Sequence, residues 1–207
     1  RGDQLEADEL DRFLAVLREV MPLKHPNIVT LHEAERVEGR VYLVSDFVEG
    51  IDLSDYLVDR RLSIREIASL CAQIASGLHH AHKFDVIHGN LKPTNVRLDA
   101  GLQPKIMDFA LHRRSKGGVQ LTGNGRIVGT AAYLAPEQLQ AGHQATVLSD
   151  VFALGVLLYE MLAGRRPFPG QGRELLRQIA KGVPPSPRSI DSTIPKPLDV
   201  ICMKCLE

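Results

Sequence analysis

The sequence contains no tryptophan, few cysteines and no excess of either charge sign. Its 207 residues include three cysteines, 5% aromatic residues, and 25 basic side chains against 25 acidic ones. Three cysteines cannot form the disulfide framework of a small secreted domain, so we predict a reducing compartment and a cytoplasmic location. A formal net charge of zero argues against a nucleic-acid partner or an anionic membrane surface.

Long apolar runs are also missing. The longest run, residues 151–163, is interrupted by Glu160 and is shorter than the ~20 residues that a membrane-spanning helix needs. We therefore predict no membrane span. Cys202 and Cys205 form a Cys-x-x-Cys pair without a second pair or a histidine at ligand spacing, so we interpret them as helical core or boundary positions, not as zinc ligands.

The hydrophobic pattern predicts an α+β fold. With 44% hydrophobic residues, the chain can bury a substantial core. Apolar residues recur at helical spacing over 8–21 and 64–82, whereas 31–48 is strand-rich around a turn at 38–40. From residue 53 onward the chain is predicted to be mainly helical. We expect a Gly-rich loop over 111–128 and a Pro-rich surface connection over 183–197.

The polar residues between 88 and 108 suit the chemistry of phosphate groups. Asn95 and Asp108 are oxygen ligands thirteen residues apart, of the kind that Mg²⁺ prefers. Lys92 is a point charge able to neutralise a phosphoryl group during transfer. Asn90, in contrast, is an amide that cannot accept a proton at neutral pH. These residues favour phosphate and metal binding more than they favour catalysis.

In order along the chain, these segments resemble eukaryotic-type Ser/Thr protein kinases in their bacterial style. The matching motifs lie at 25–29, 41–44, 87–99, 105–110, 135–137, 149–156 and 195–207. The resemblance implies a protein kinase-like fold, mainly the helical large lobe with a truncated small lobe. Residues 1–48 would be the remainder of the small lobe and 49–207 an incomplete large lobe. We expect a fragment from the helix that the family calls αC to the one it calls αH, without the family's Gly-rich loop and small-lobe lysine.

The resemblance also implies a site for ATP and Mg²⁺. Asn90 and Lys92 occupy the catalytic positions, and Asn95 and Asp108 those of the metal ligands. Arg97 replaces an apolar residue beneath the adenine, where a guanidinium could stack on the base or fill the pocket. We expect it to fill the pocket as an unpaired charge. The implied cofactor-binding residues are Ser45, Asp46, Val48, Asp52, Lys92, Asn95, Arg97 and Asp108.

Four further positions depart from the family pattern. Asn90 replaces the proton-accepting aspartate, and loss of a general base typically costs ~10²–10⁴-fold in rate. Gly89 replaces the arginine that binds a phosphorylated activation segment. Val16 replaces the glutamate that pairs with the small-lobe lysine, and Ala110 replaces the glycine after Asp108 and Phe109. Together these changes favour a pseudokinase.

Three hypotheses follow from the sequence. We favour a catalytically impaired pseudokinase, a signalling or scaffold module that binds protein partners and retains ATP and Mg²⁺ binding. The second is an active Ser/Thr kinase that transfers the γ-phosphate of ATP to a protein substrate. The third is an interaction domain that binds no nucleotide, with Arg97 closing the pocket.

Other polar residues are interpreted as structural. Asp150, within an apolar helix, is expected to accept hydrogen bonds from the backbone of 87–99, because a buried carboxylate must be paired. The resemblance to the kinase family implies that His88 and Phe109 lie in a buried stack with Val20 and Leu31. The remaining histidines, which include His79, His80 and His82, are interpreted as surface or boundary residues without a carboxylate partner.

Overall fold

The computed structural model describes residues 7–38, 40–109, 131–140 and 144–207. Within these ranges it has an α+β architecture, as the hydrophobic pattern predicted, with two small sheets and a large helical part. The predicted loop at 111–128 and the Ala110 position lie outside the described residues, as does Gly39 of the predicted turn.

The first described element is helix α1, Ala7–Val20, which ends just before Pro22 as predicted. An antiparallel pair follows, formed by β1 (Leu31–Val37) and β2 (Arg40–Ser45). Leu17 and Val20 are buried, so one face of α1 packs onto the core. Apolar side chains of the pair remain exposed, as Tyr42 at 51% and Val44 at 50% show. Within the described residues, the pair thus exposes these apolar side chains together with charged ones such as Glu35 and Arg40.

The segment after β2 leads into the second sheet. Strand β3 (Gly50–Asp52) pairs with β4 (Val96–Asp99), and β4 pairs with β5 (Pro104–Ile106). Asp52 lies opposite Arg97 in this register. The short helix α2 (Leu53–Tyr56) follows β3, and a 3₁₀ turn at Pro93–Asn95 precedes β4. This sheet therefore brings residues 50–52 beside the polar segment 88–97.

Two long helices form the centre of the large lobe. Helix α3 (Ile64–His82) matches the predicted 64–82, and a capping box between Ser63 and Glu66 fixes its start. Helix α4 (Val147–Ala163) begins at the Thr146 cap and ends at Gly164, whose φ of 66° suits the left-handed conformation of a helix C-terminus. Ten of the residues of α4 are buried, among them the polar Ser149 and Asp150.

The prediction of a surface connection over 183–197 is only partly correct. Residues 187–190 form a short helix, α6 (Pro187–Ile190), between α5 (Gly172–Lys181) and α7 (Lys196–Cys205). Pro187 and Ile194 are buried, and the Tyr159 hydroxyl donates to Pro185 O at 2.9 Å. The segment was misread because its prolines suggest a loop, whereas Pro184, like Pro187 and Ile194, is buried, and Ile194 joins the hydrophobic core of the helical part.

The cysteines occupy the core and boundary positions that were predicted. Cys71 on α3 and Cys202 on α7 are buried, and Cys205 is partly buried. Burial raises the pKa of Cys71 to about 12, so its thiol stays protonated. Within the described ranges no group of three His, Cys, Asp or Glu side chains could hold a metal ion.

Close contact between α4 and α7 generates a stability prediction. A Cβ placed on Gly155 would lie 2.6 Å from Cys205 Cβ and 3.2 Å from Cys205 C. Gly155→Ala should therefore lower the free energy of unfolding by about 1–2 kcal/mol, because overpacking exceeds the helix propensity that alanine adds. Urea unfolding measures the change.

Gly101→Ala is the matched control for this substitution. A Cβ there would meet only Asp99 Oδ1 at 3.4 Å and Gln103 Cγ at 4.0 Å, so stability should change little. A Gly155→Ala protein as stable as the unmodified chain would show that α7 moves away at no cost.

Candidate functional site

A cavity of about 400 Å³ lies between the small-lobe elements and the β4–β5 hairpin. Its walls are largely apolar, and its lining includes five residues that the sequence analysis assigned to a cofactor: Ser45, Asp46, Val48, Arg97 and Asp108. Other assigned residues, namely Asn90, Lys92, Asn95 and Asp52, do not line it. The structure thus brings most of the residues predicted to contact the adenine base together around the cavity. The residues predicted to be catalytic lie outside the cavity wall.

The buried carboxylate of Asp150 holds the loop that begins at His88. Its Oδ2 accepts from the His88 backbone N–H at 2.9 Å, and its Oδ1 accepts from Gly89 N–H at 2.7 Å. Gly89 has a φ of 71°, a conformation that glycine adopts without strain. The prediction that Asp150 binds the backbone of this loop is confirmed.

His82 corrects the interpretation of the histidines. Its Nε2 lies 2.8 Å from Asp150 Oδ2, and its side chain is only 12% exposed. The prediction that it has no carboxylate partner was wrong, because Asp150 is 68 residues further along the chain and reaches α3 only through packing of α4. Helical spacing alone could not reveal this pair.

His88 fixes the loop from the inside. Its side chain is fully buried, and its Nε2 lies 2.9 Å from Met107 O, while its Nδ1 accepts from Asn90 N–H at 3.1 Å. These partners require a neutral ring with its proton on Nε2. Burial lowers the pKa of His88, which favours the same neutral form.

The predicted buried stack is also present. The rings of His88 and Phe109 lie 4.8 Å apart, and Val20, Leu31 and Phe109 are all buried within one hydrophobic core. This stack connects α1 and β1 of the small lobe to the loop of the large lobe. It places Phe109 directly beside Asp108, at the edge of the cavity.

Hydrogen bonds to backbone groups fix the positions of Asn90 and Asn95. Asn95 Nδ2 donates to Asn90 O at 3.0 Å, and Asn95 O accepts from Met107 N–H at 2.9 Å. This orientation leaves the side-chain oxygen of Asn95 available as a ligand. Asp108 is exposed and has a φ of 62°, which is uncommon for a residue other than glycine and marks local strain.

The donor set of Asn95 and Asp108 suits a hard divalent cation. Both side chains offer oxygen, and Mg²⁺ is commonly held by one or two protein carboxylates or amides together with water and phosphate. Lys92 is partly buried, has extended backbone (φ −162°), and forms no ion pair with another described residue. It is therefore available to an anion.

Arg97 forms a set of contacts that we call the Arg97 bridge. Its Nε donates to Val48 O at 2.7 Å, its Nη1 to Asp52 Oδ1 at 2.8 Å, and its Nη2 to Gly50 O at 2.9 Å. The expectation of an unpaired charge was wrong. The charge is paired because β3 places Asp52 directly across from Arg97.

Asp46 is also paired with other residues of the chain. Its Oδ1 lies 2.6 Å from His32 Nε2, and its N–H donates to Thr30 O at 3.0 Å. His32 is therefore a second histidine for which the prediction of no carboxylate partner was wrong. The hydrogen bond from His32 lowers the pKa of Asp46, so this carboxylate stays ionised. These contacts fix the chain just after Ser45 to strand β1.

Two further residues that connect loops were missed by sequence reasoning. Gln138 Nε2 donates to Gly89 O at 2.9 Å, and its Oε1 accepts from Ala135 N–H at 3.0 Å. Ser149 Oγ donates to Glu137 Oε1 at 2.7 Å. The motif at 135–137 indicated an anchored segment, but no local signal pointed to Gly89 or to Ser149.

Comparison with known proteins adds to this geometry. Residues 4–206 match the family model described as protein kinase domain. None of the helices within the described ranges is long and apolar enough to cross a membrane.

Several curated relatives are similar over almost the whole chain. Serine/threonine-protein kinase PkaA of Streptomyces coelicolor is 38% identical over 207 residues, which cover 97% of this chain and 37% of the relative. Serine/threonine-protein kinase PknA of Mycobacterium tuberculosis is 34% identical over 203 residues, which cover 94% of this chain and 47% of the relative. Serine/threonine-protein kinase PrkC of Bacillus subtilis is 30% identical over 195 residues, which cover 93% of this chain and 30% of the relative. The chain thus spans less than half the length of these relatives.

The buried neutral His88 generates a pH prediction. In the unfolded chain this histidine protonates near its ordinary pKa of about 6.5, whereas the lowered pKa keeps it neutral in the folded protein. The unfolded state therefore takes up more protons as the pH falls through 6.5, and stability that is present above this pH is lost below it. The free energy of unfolding should fall by up to about 1.4 kcal/mol per pH unit below 6.5.

Denaturant unfolding between pH 7.5 and 5.5 measures this slope, with two variants for comparison. His88→Leu should be less stable throughout but show a shallower slope. His79→Gln, which removes an exposed histidine of α3, should keep the slope of the unmodified chain. An unchanged slope in His88→Leu would contradict the assignment.

Proposed function

The chain belongs to the protein kinase family, and from this premise we propose that it is a kinase-fold signalling module whose phosphoryl transfer is impaired. The observation that carries the proposal is Asn90 at the position of the proton acceptor. An amide has no titratable lone pair, and general-base catalysis contributes ~10²–10⁴-fold. The backbone of Asn90 is held on both sides, by His88 Nδ1 and by Asn95 Nδ2, which supports a fixed position for this residue in the loop.

Nucleotide binding is the second part of the proposal. Asn95 and Asp108 would hold Mg²⁺, which when bound supplies positive charge to the phosphate oxygens of ATP. Lys92 would neutralise further phosphate charge from the large lobe. Ser45 and the backbone from Asp46 to Val48 would face the base, and Asp52 the sugar. The cavity border supports these roles through the proximity of Asp108 to residues 45–48.

Two other departures support impairment. Val16 occupies the glutamate position, and its side chain packs against the hydrophobic core instead of offering a charge. Gly89 offers no guanidinium to a phosphorylated activation segment. Its carbonyl instead accepts from Gln138, so the loop is connected to the end of that segment by a neutral hydrogen bond. Signalling would then proceed through protein partners that recognise the fold.

An active Ser/Thr kinase is the second candidate. The retained Lys92, Asn95 and Asp108 favour it, as do relatives whose names state serine/threonine kinase activity. Its substrates would be proteins, and its reaction the transfer of the γ-phosphate of ATP. A third candidate, an interaction domain without nucleotide, is favoured by the Arg97 bridge. For all three candidates we propose a cytoplasmic protein with no nucleic-acid ligand.

The metal assignment predicts a Mg²⁺-dependent stabilisation. In the full-length protein, ATP with Mg²⁺ should raise the free energy of unfolding by at least about 1 kcal/mol more than ATP alone, because the ion adds bonds to phosphate. This corresponds to roughly 2–4 °C in Tm for a domain of this size. Asp108→Asn should remove the increment in a thermal shift assay.

Asp59→Asn serves as the control for that experiment. It removes an exposed carboxylate at residue 59, away from the cavity, and should preserve the Mg²⁺ increment. Equal shifts with and without Mg²⁺ in the unmodified protein would refute the metal assignment.

The Asn90 assignment predicts the outcome of a repair experiment. Asn90→Asp in the full-length protein should raise transfer to a Ser/Thr peptide by less than tenfold, although a general base alone is worth ~10²–10⁴. Groups that act as one catalytic unit are non-additive, so one repaired member returns little while Val16 remains. Radiolabelled phosphate transfer measures the rate, with Asn90→Ala as the control for any residual positioning by the amide.

Two results would favour the active kinase over the impaired one. The first is robust peptide phosphorylation by the unmodified protein. The second is a gain of a hundredfold or more in Asn90→Asp alone, which would mean that the missing base is the single defect.

A further inference from the structure

The Arg97 bridge joins strand β4 to the chain segment that borders the cavity. It uses three acceptors in a row, the carbonyls of Val48 and Gly50 and the carboxylate of Asp52, at 2.7–2.9 Å. Arg97 and Val48 both line the cavity. The bridge therefore occupies hydrogen-bonding groups at the border of the site.

We propose that the Arg97 bridge competes with nucleotide for the cavity border. It holds residues 48–52 against β4 in the free protein, and a nucleotide reaches Asp52 and Val48 O only when the bridge opens. The inference rests on the proposed nucleotide binding and adds to it the residue that sets the affinity.

The bridge is well organised before any ligand binds. Arg97 and Asp52 are direct neighbours across the antiparallel β3–β4 pair, so the backbone sets the distance between their side chains. Both side chains are partly buried, at 29% and 32% exposure, which weakens screening by water and salt. A guanidinium has a planar set of five donors and can satisfy three acceptors at once, which a lysine cannot.

The Arg97 bridge engages two acceptors that a nucleotide could otherwise use: Val48 O at the cavity border, and Asp52, which lies beyond that border and contacts Arg97. Leu17, Leu31 and Leu43 are among its walls, which can hold a planar base through apolar contact but cannot accept hydrogen bonds. The amine of a base and the hydroxyls of a sugar are donors. They compete with Arg97 for Val48 O and for Asp52, so the apparent affinity falls in proportion to the fraction of molecules with an open bridge.

The test compares Arg97→Leu and Arg97→Lys in the full-length protein by titration calorimetry. Neutral adenosine and Mg²⁺-ATP are the probes. Arg97→Leu removes the bridge, and adenosine affinity should rise about tenfold. This is the gain expected when the bridge of the unmodified protein is open in roughly one molecule in ten. Arg97→Lys keeps the charge but loses the three-acceptor geometry, so it should raise adenosine affinity by a smaller factor.

The two probes separate geometry from charge. ATP loses an attractive cation in Arg97→Leu but not in Arg97→Lys, so ATP should gain less than adenosine in the leucine variant only. Arg173→Leu removes an exposed cation from α5, away from the cavity, and should leave both affinities unchanged. If Arg97→Leu does not fold, the adenosine affinity of Arg97→Lys tests the inference by itself. A lysine at this position can still pair with Asp52, so this variant should fold.

Each outcome separates this inference from the proposed function. Adenosine and ATP binding by the unmodified protein with no gain in either Arg97 variant would overturn the inference and leave nucleotide binding intact. Binding by the Arg97 variants but not by the unmodified protein would support the inference and overturn nucleotide binding by the natural chain. No binding by any variant would overturn both.

Discussion

The buried carboxylate of Asp150 is the contact on which the rest of the site depends. It is fully buried, and it accepts from two consecutive backbone N–H groups of the loop and contacts His82 of α3. A charge in the core is tolerated only when it is paired and hydrogen bonded, so the positions of α3, α4 and the loop are coupled. The left-handed Gly89 follows from this constraint, whereas burial of the ring lowers the pKa of His88 and outweighs the nearby charge of Asp150.

The polar residues of the site fall into two groups with different roles. Loop residues such as Asn90 and Asn95 are held by hydrogen bonds to backbone groups, in the segment that we propose binds phosphate. Residues at the cavity border are paired with each other, as Arg97 with Asp52 and Asp46 with His32. In this family member, the large-lobe loop is therefore built to position groups, while the cavity border is occupied by side chains of the chain itself.

Much of the fold and part of the site could be predicted from the sequence. Helical periodicity gave α1 and α3, because an amphipathic helix needs only local spacing to bury one face. The role of Asp150 could be predicted because a carboxylate within an apolar helix requires partners. The contacts of His82, Gln138 and Arg97 could not, because each joins residues from about 45 to 68 positions apart and carries no local pattern.

The sequence by itself determined which groups are chemically able to act. An amide at position 90 cannot accept a proton in any fold, and the oxygen donors at 95 and 108 suit a hard cation wherever they meet. Only the tertiary structure decided whether the charge of Arg97 is free or paired. Its partners lie on β3 and the preceding segment, and they reach it because the β3–β4 register places Asp52 opposite Arg97. Pairing across a sheet depends on how distant strands align, which the residues of one strand do not specify.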